Sequence, residues 1–181
     1  MTHVILTIGP QCAGKSTFCE KVVALDPSID LVSRDKILIE LYGTVWLSSY
    51  TGGHLVAYEK MWKEVKRLVQ PHSDKLLILD CWNGEEADRA NILKKLKRYG
   101  VTKVSGWYFV TPKSQCVEWS FLKIPFKKDT EMAREFRVCE YGDVYRSFHS
   151  QSIESEPGFV SITRVNPLTH SPEEILKSVF V

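Results

Sequence analysis

Membrane-length apolar runs, paired cysteines and a strong charge of either sign are all missing from this 181-residue chain. The first absence excludes a bilayer-spanning helix, and the apolar N-terminus reads as a core strand rather than a secretion signal. Five cysteines (Cys12, Cys19, Cys81, Cys116 and Cys139) make an odd count with no Cys-x-x-Cys spacing. That argues against structural zinc and disulfide staples and for reduced thiols in a cytoplasmic protein. A net charge of +2 excludes a globally basic nucleic-acid binder, so any basic surface has to be local. His54, His72 and His149 show neither ligand spacing nor a nucleophile partner and read as structural. No internal repeat, low-complexity linker or Asn-Lys-x-Asp guanine motif is found. What remains, 44% hydrophobic and 25% charged residues, is the composition of one globular domain with a substantial core.

One stretch organises the chain: Gly9-Pro10-Gln11-Cys12-Ala13-Gly14-Lys15-Ser16-Thr17. It follows the apolar run Val4–Ile8 and precedes a helix-like segment reaching about Leu25. The spacing is that of a phosphate-binding loop, GxxxxGK[ST]. Gly9 and Gly14 let the backbone curl so that its N–H groups converge on an anion, and the following helix adds the positive end of its dipole. Lys15 then reaches the β- and γ-phosphates of a nucleotide, and the Ser16 hydroxyl ligates Mg²⁺. Within the loop, Cys12 reads first as a small residue at a crowded turn, with an exposed, activated thiol as the alternative.

Apolar strand patterns and amphipathic helix patterns alternate along the rest. Ile29–Val32, Lys75–Asp80, Val101–Val110 and Phe159–Arg164 read as strands, and His54–Val69 and Glu85–Tyr99 as helices. A helix-like segment opens at Pro112 and runs to Lys123, Pro125 breaks it, and Lys127–Glu140 reads as a charged helix. Ser171-Pro172-Glu173-Glu174 reads as a helix start. This order predicts an α/β fold, a parallel sheet with helices on both faces, as a single domain over residues 1–181 with 112–140 as a small helical lid. Ligands of such sheets bind beyond the carboxyl ends of the strands. Gly9, Asp35 and Asp80 all fall at or just past such ends. Asp80 is either a capping residue or a carboxylate that holds Mg²⁺ or orients an acceptor. Asp35, in Ser33-Arg34-Asp35, either N-caps the next helix or accepts the proton of an acceptor hydroxyl. Trp82 borders the expected acceptor position. Trp46 and Tyr50, in a Gly-bounded loop, either stack on an acceptor or cover the core.

These motifs together, the phosphate loop, Ser33-Arg34-Asp35, and Leu79-Asp80 with Asn83, resemble the polynucleotide 5′-hydroxyl kinases and their P-loop kinase relatives over residues 3–165. Glu85–Tyr99 with Arg89 and the lid proline of Ile124-Pro125 fit the same pattern. The resemblance implies ATP as donor, Mg²⁺ as cofactor, and transfer of the γ-phosphoryl group to a hydroxyl, first of all the 5′-OH end of RNA or DNA. It implies that Lys15 stabilises the transferring phosphoryl, Ser16 binds Mg²⁺, Thr17 contacts the α-phosphate, Asp35 is the general base, and Asp80 lies near acceptor and metal. Arg34, Trp82, Asn83 and Arg89 are the implied acceptor-binding set. Two departures stand out. Leu38 occupies the position where the family often has an acceptor-clamping arginine, a place that Arg34 or Arg89 can fill. In the lid, Glu118–Lys123 carries no arginine, so Lys123 is the nearest match, with Lys127, Lys128, Arg134 and Arg137 downstream. A P-loop kinase of a small metabolite or nucleoside is the second reading, and a nucleotide-binding scaffold with little turnover is the third.

Overall fold

The computed structural model describes residues 2–45, 52–69, 75–123 and 142–179. Its centre is β1 (His3–Ile8), an apolar strand buried along all but its first residue. A strand buried on both faces belongs in the middle of a parallel sheet. β1 pairs in parallel with β3 (Leu76–Asp80) on one side and β4 (Lys103–Phe109) on the other, Val4 lying opposite both Leu77 and Val104. The short strands β2 (Asp30–Ser33) and β5 (Ile162–Val165) complete a five-stranded parallel sheet in the order β2-β3-β1-β4-β5.

Side chains alternate across this sheet and build two cores. On one face Val4, Leu6, Ile8, Leu77 and Leu79 pack beneath α2 (Arg34–Tyr42), α3 (Gly53–Leu68), α4 (Glu86–Arg98) and Phe148 of α6, a helix over 142–149. On the other, Ile5, Ile78, Trp107 and Phe109 pack beneath Phe18 and Val22 of α1 (Lys15–Leu25) and Ile175 of α7 (Pro172–Ser178). α7 starts as its sequence predicts, with Pro172 first and a reciprocal Ser171/Glu174 capping box.

Between β4 and the last third of the chain lies α5 (Lys113–Lys123), the first part of the expected lid. The expected helix at Lys127–Glu140 and the lid break at Ile124-Pro125 lie outside the described residues, as do Trp46, Tyr50, His72 and Cys139. No helix among the described residues is long and apolar enough to cross a membrane.

One ion pair ties the distant end of this layout to the site. Arg89 on α4 is 0% exposed. Its Nε donates to Glu156 Oε2 at 2.7 Å, its Nη1 to the Asn83 carbonyl at 2.7 Å, and its Nη2 to Gln151 Oε1. A buried guanidinium is tolerated only when its donors are matched in this way. Removing it leaves the nearly buried Glu156 carboxylate without its counter-charge. Arg89→Met is therefore expected to cost about 3–5 kcal/mol of stability, roughly 6–20 °C in melting temperature for a domain of this size. Arg89→Met/Glu156→Leu should recover most of the loss. Thermal melting followed by circular dichroism checks both; a single variant that melts like the parent chain refutes the account.

Candidate phosphate and acceptor site

The loop after β1 is shaped by three residues with positive φ. Gly9 (φ +145°) runs against the backbone of Phe109, where a Cβ would come within 3.1 Å of the Phe109 carbonyl oxygen. Gly14 (φ +83°) is the backbone N-cap of α1, and a Cβ there would meet the Trp119 ring at 3.0 Å. Cys12 (φ 58°) is the one non-glycine of this kind among the described residues. A helix start with no side-chain cap presents its positive dipole end to whatever lies before it, and α1 starts this way. Lys15 Nζ donates to the carbonyls of Gly9 at 2.9 Å and Pro10 at 2.7 Å, so its ammonium arches over the loop. From β4's end, Thr111 Oγ1 donates to the Ala13 carbonyl at 2.7 Å and pins the loop from the other side.

Asp80, 6% exposed, closes β3 directly beside this loop. It accepts from Thr7 Oγ1 at 2.8 Å, Ser16 Oγ at 2.7 Å and Ser33 Oγ at 3.4 Å. Those hydroxyls come from β1, α1 and β2. A hydroxyl touching a carboxylate is the hard-oxygen donor set that suits Mg²⁺, which takes one or two protein oxygens and completes its shell with phosphate and water. Among the described residues no group of three or more His, Cys, Asp or Glu side chains is gathered as a metal site.

At the end of β2 the helix cap falls to Ser33, whose Oγ accepts from Lys36 N, and not to Asp35. The Asp35 side chain stays 52% exposed, paired with Arg34 at 3.1 Å. Gln11, Cys12, Ala13, Gly14, Lys15, Ser16, Arg34, Asp35, Asp80 and Trp82 all line one cavity of about 370 Å³, with Val45, His54 and Cys81. The ends of β1, β2 and β3 thus meet at one place, and His54, read from sequence as structural, is also at its wall.

Two members of the implied acceptor set stand elsewhere. Asn83 is 2% exposed and its Nδ2 donates to the carbonyls of Thr7 at 2.7 Å and Cys81 at 3.1 Å. Arg89 is committed to Glu156, Gln151 and the loop backbone as described above. Both hold the segment after β3 in place and neither lines the cavity, which corrects their placement as acceptor contacts. Lys123 closes α5, and its side chain lies outside the described residues, as do Lys127, Lys128, Arg134 and Arg137.

A second cavity, of about 360 Å³, lies on the far side of the phosphate loop. Cys12, Gly14, Thr17, Phe18 and Lys21 form one wall, and Trp119, Leu122, Pro167, His170 and Pro172 the other. Sequence reasoning missed the second wall. Pro167 follows the carboxyl end of β5, so the strand-end rule that found Asp35 could have found it.

A family model described as an AAA domain matches residues 4–121, more than half of the chain. Among solved structures the chain is similar to a putative kinase from Chloroflexus aurantiacus (TM-score 0.69, 14% identity, covering 99% of this chain and 97% of that one). It is similar to Kti12 from Chaetomium thermophilum in complex with ADP-AlF3 (TM-score 0.67, 13% identity, 98% and 97%). It is also similar to shikimate kinase from Acinetobacter baumannii in complex with shikimate (TM-score 0.51, 16% identity, 99% and 92%). These likenesses show that the fold is of the P-loop kinase type. No curated protein matches the chain in sequence.

The thiols give a direct probe of the loop. Burial pushes the Cys19 thiol well up, Cys81 to about 12 and Cys116 to about 11, whereas Cys12 is half-buried and lines both cavities. Thiolates react and buried thiols do not. A maleimide at neutral pH is expected to label Cys12 first among these four. Bound nucleotide should slow that labelling, as read by peptide mass mapping.

Proposed function

We propose, from the premise that this chain belongs to the AAA domain family, that it is an ATP- and Mg²⁺-dependent phosphotransferase that moves the γ-phosphoryl group to a hydroxyl acceptor. The 5′-OH end of RNA or DNA is the first acceptor class, and a small hydroxylated metabolite or nucleoside the second. The observation that carries the reading is the shared cavity: Lys15, the Ser16–Asp80 pair and an exposed Asp35 carboxylate all line it.

In this reading the loop from Gly9 to Thr17 cradles the donor phosphates, with Thr17 toward the α-phosphate. Lys15 exchanges its two carbonyl partners for β/γ-phosphate oxygens and offsets charge there. Mg²⁺, when bound, neutralises the phosphate oxygens; Ser16 and Asp80 are the residues that would hold it. Asp35 takes the proton of the attacking hydroxyl, and Arg34, paired to it at 3.1 Å, holds that carboxylate in orientation. Residues 112–140 act as the lid. α5 supports this by resting Trp119 on Gly14, and Lys123 at its end is the cation expected to meet the transferring group. A cytoplasmic location goes with ATP as donor and with buried, reduced thiols.

The small-acceptor reading has its own observations. Leu38 is fully buried in the core and supplies no phosphate clamp. Two of the cations near β2 are paired with carboxylates, Lys36 with Glu20 at 3.0 Å and Lys60 with Glu40 at 3.6 Å. A screen with γ-labelled ATP against 5′-hydroxyl oligonucleotides, nucleosides and sugars separates the two classes.

Asp35→Ala should lower transfer about 10²–10⁴-fold, the range of a lost general base, with ATP affinity almost unchanged. Lys15→Ala should damage both. Near-normal turnover by Asp35→Ala would place the acceptor elsewhere.

A further inference from the structure

The segment after β3 is built in a way that the chemistry of phosphate transfer does not require. Three of its four residues are locked. Cys81 and Asn83 are buried, and Gly84's carbonyl accepts from Gln151 Nε2 at 3.0 Å and Arg89 Nη1 at 3.3 Å. Trp82 alone stands out, 41% exposed and lining the cavity that holds Asp35. Yet its indole is not loose. One edge lies over Gly84, where a Cβ would come within 2.5 Å of the ring, so only glycine fits beneath it. It also meets the buried ring of Phe148 on α6 edge-to-face, with centroids 5.7 Å apart and planes at 87°.

An exposed large aromatic on a mobile tip carries no specificity. One fixed in orientation beside a carboxylate does, because the rotamer entropy of stacking has already been lost in folding. Asp35, Arg34 and His54 on the same cavity are polar, and besides Trp82 the lining holds only smaller apolar groups such as Val45 and Cys81. Among its lining residues the cavity thus offers one flat aromatic surface, Trp82, and a hydrogen-bonding side. At about 370 Å³ it is at the small end of ligand cavities. We infer that Trp82 is the acceptor's stacking platform, positioned by Phe148 and Gly84, and that the acceptor is a compound joining a hydroxylated sugar to a planar ring, a nucleoside unit free or at the end of a strand. The ring lies on the indole while the sugar hydroxyl faces Asp35. The inference rests on the kinase reading for which hydroxyl reacts, but the platform itself is a matter of binding.

The test measures binding without turnover and transfer separately. The full chain, saturated with Mg²⁺ and a non-hydrolysable ATP analogue, is titrated calorimetrically with adenosine, with a 5′-hydroxyl dinucleotide and with ribose. Trp82→Ala should weaken the two ring-bearing probes about 10–100-fold, the range of one lost base–aromatic stack. It should thereby collapse their preference over ribose, with the affinity for the ATP analogue unmoved. Trp82→Phe should retain most of the preference, and Phe148→Leu should lose part of it through misplacement of the indole. Thermal melting shows that each variant is folded. Ring-bearing probes that bind no better than ribose, or that bind Trp82→Ala as well as the parent chain, overturn the inference. Labelled transfer then distinguishes the failures. Transfer to a ringless acceptor with no ring preference removes the platform and leaves the kinase. Trp82-dependent binding with no transfer to any hydroxyl removes the kinase and leaves the platform.

Discussion

Three hydroxyls close on one carboxylate at the centre of this molecule. Asp80 receives Thr7, Ser16 and Ser33, and through them β1, α1 and β2 are held to β3 at a single point. A carboxylate this far from water is costly unless its oxygens are filled, and charge-assisted hydrogen bonds are the strong kind. Parallel strands with helices on both faces already aim their carboxyl ends in one direction. The clasp turns that general convergence into a fixed distance between the phosphate loop and the Arg34–Asp35 pair. The hydroxyl of Ser16 is the one member of the clasp that also belongs to the phosphate loop, so whatever binds the loop acts on the joint that holds the sheet ends together.

How much of this was legible in the chain depends on how far each residue's partners lie along it. The loop was legible because its chemistry is local: two glycines, a lysine and a hydroxyl at fixed spacing between an apolar strand and a helix. Asp35 was legible as a candidate and undecided as to role, because a cap and an exposed carboxylate look alike in sequence. Ser33 taking the cap leaves the carboxylate open to the cavity. Arg89 and Asn83 were misplaced for the opposite reason. Their partners, Glu156 and Gln151 for one and the Thr7 carbonyl for the other, are separated from them by more than sixty residues, and no local pattern announces a buried ion pair. The second cavity escaped notice similarly, since Trp119 and Pro167 become neighbours only when α5 folds back over Gly14.

The two cavities share a wall, and the residues of that wall explain its composition. Cys12 and Gly14 border both. A larger side chain at either position would fill one cavity or push Trp119 away from the loop. At Gly14 the close Trp119 ring and the positive φ together account for glycine. The wall is also asymmetric in what backs it. On the side of Asp35 and Trp82 the segment from Cys81 to Gly84 is bolted to α4, α6 and the turn at Glu156, and on the far side the covering groups belong to α5 and the chain after β5. Fixed geometry is thus concentrated on the side of the Asp35 carboxylate.

The arch made by Lys15 carries the argument one step further. Its ammonium is satisfied by the Gly9 and Pro10 carbonyls, so the loop holds its shape with its cation already in place. A phosphate entering this loop competes with two neutral acceptors. It wins because an anionic oxygen adds the attraction of opposite charges, which a neutral carbonyl lacks. The ordering of Lys15, four rotatable bonds fixed over the loop, has been completed in folding, so nucleotide binding need not supply it. The same preorganisation sets the direction of selectivity. A neutral ligand gains nothing over the carbonyls it displaces, and a polyanion gains at every oxygen that reaches the arch and the uncapped start of α1. The loop thereby favours charge before shape, and in the proposed reaction discrimination among acceptors falls to the wall that carries Asp35 and Trp82.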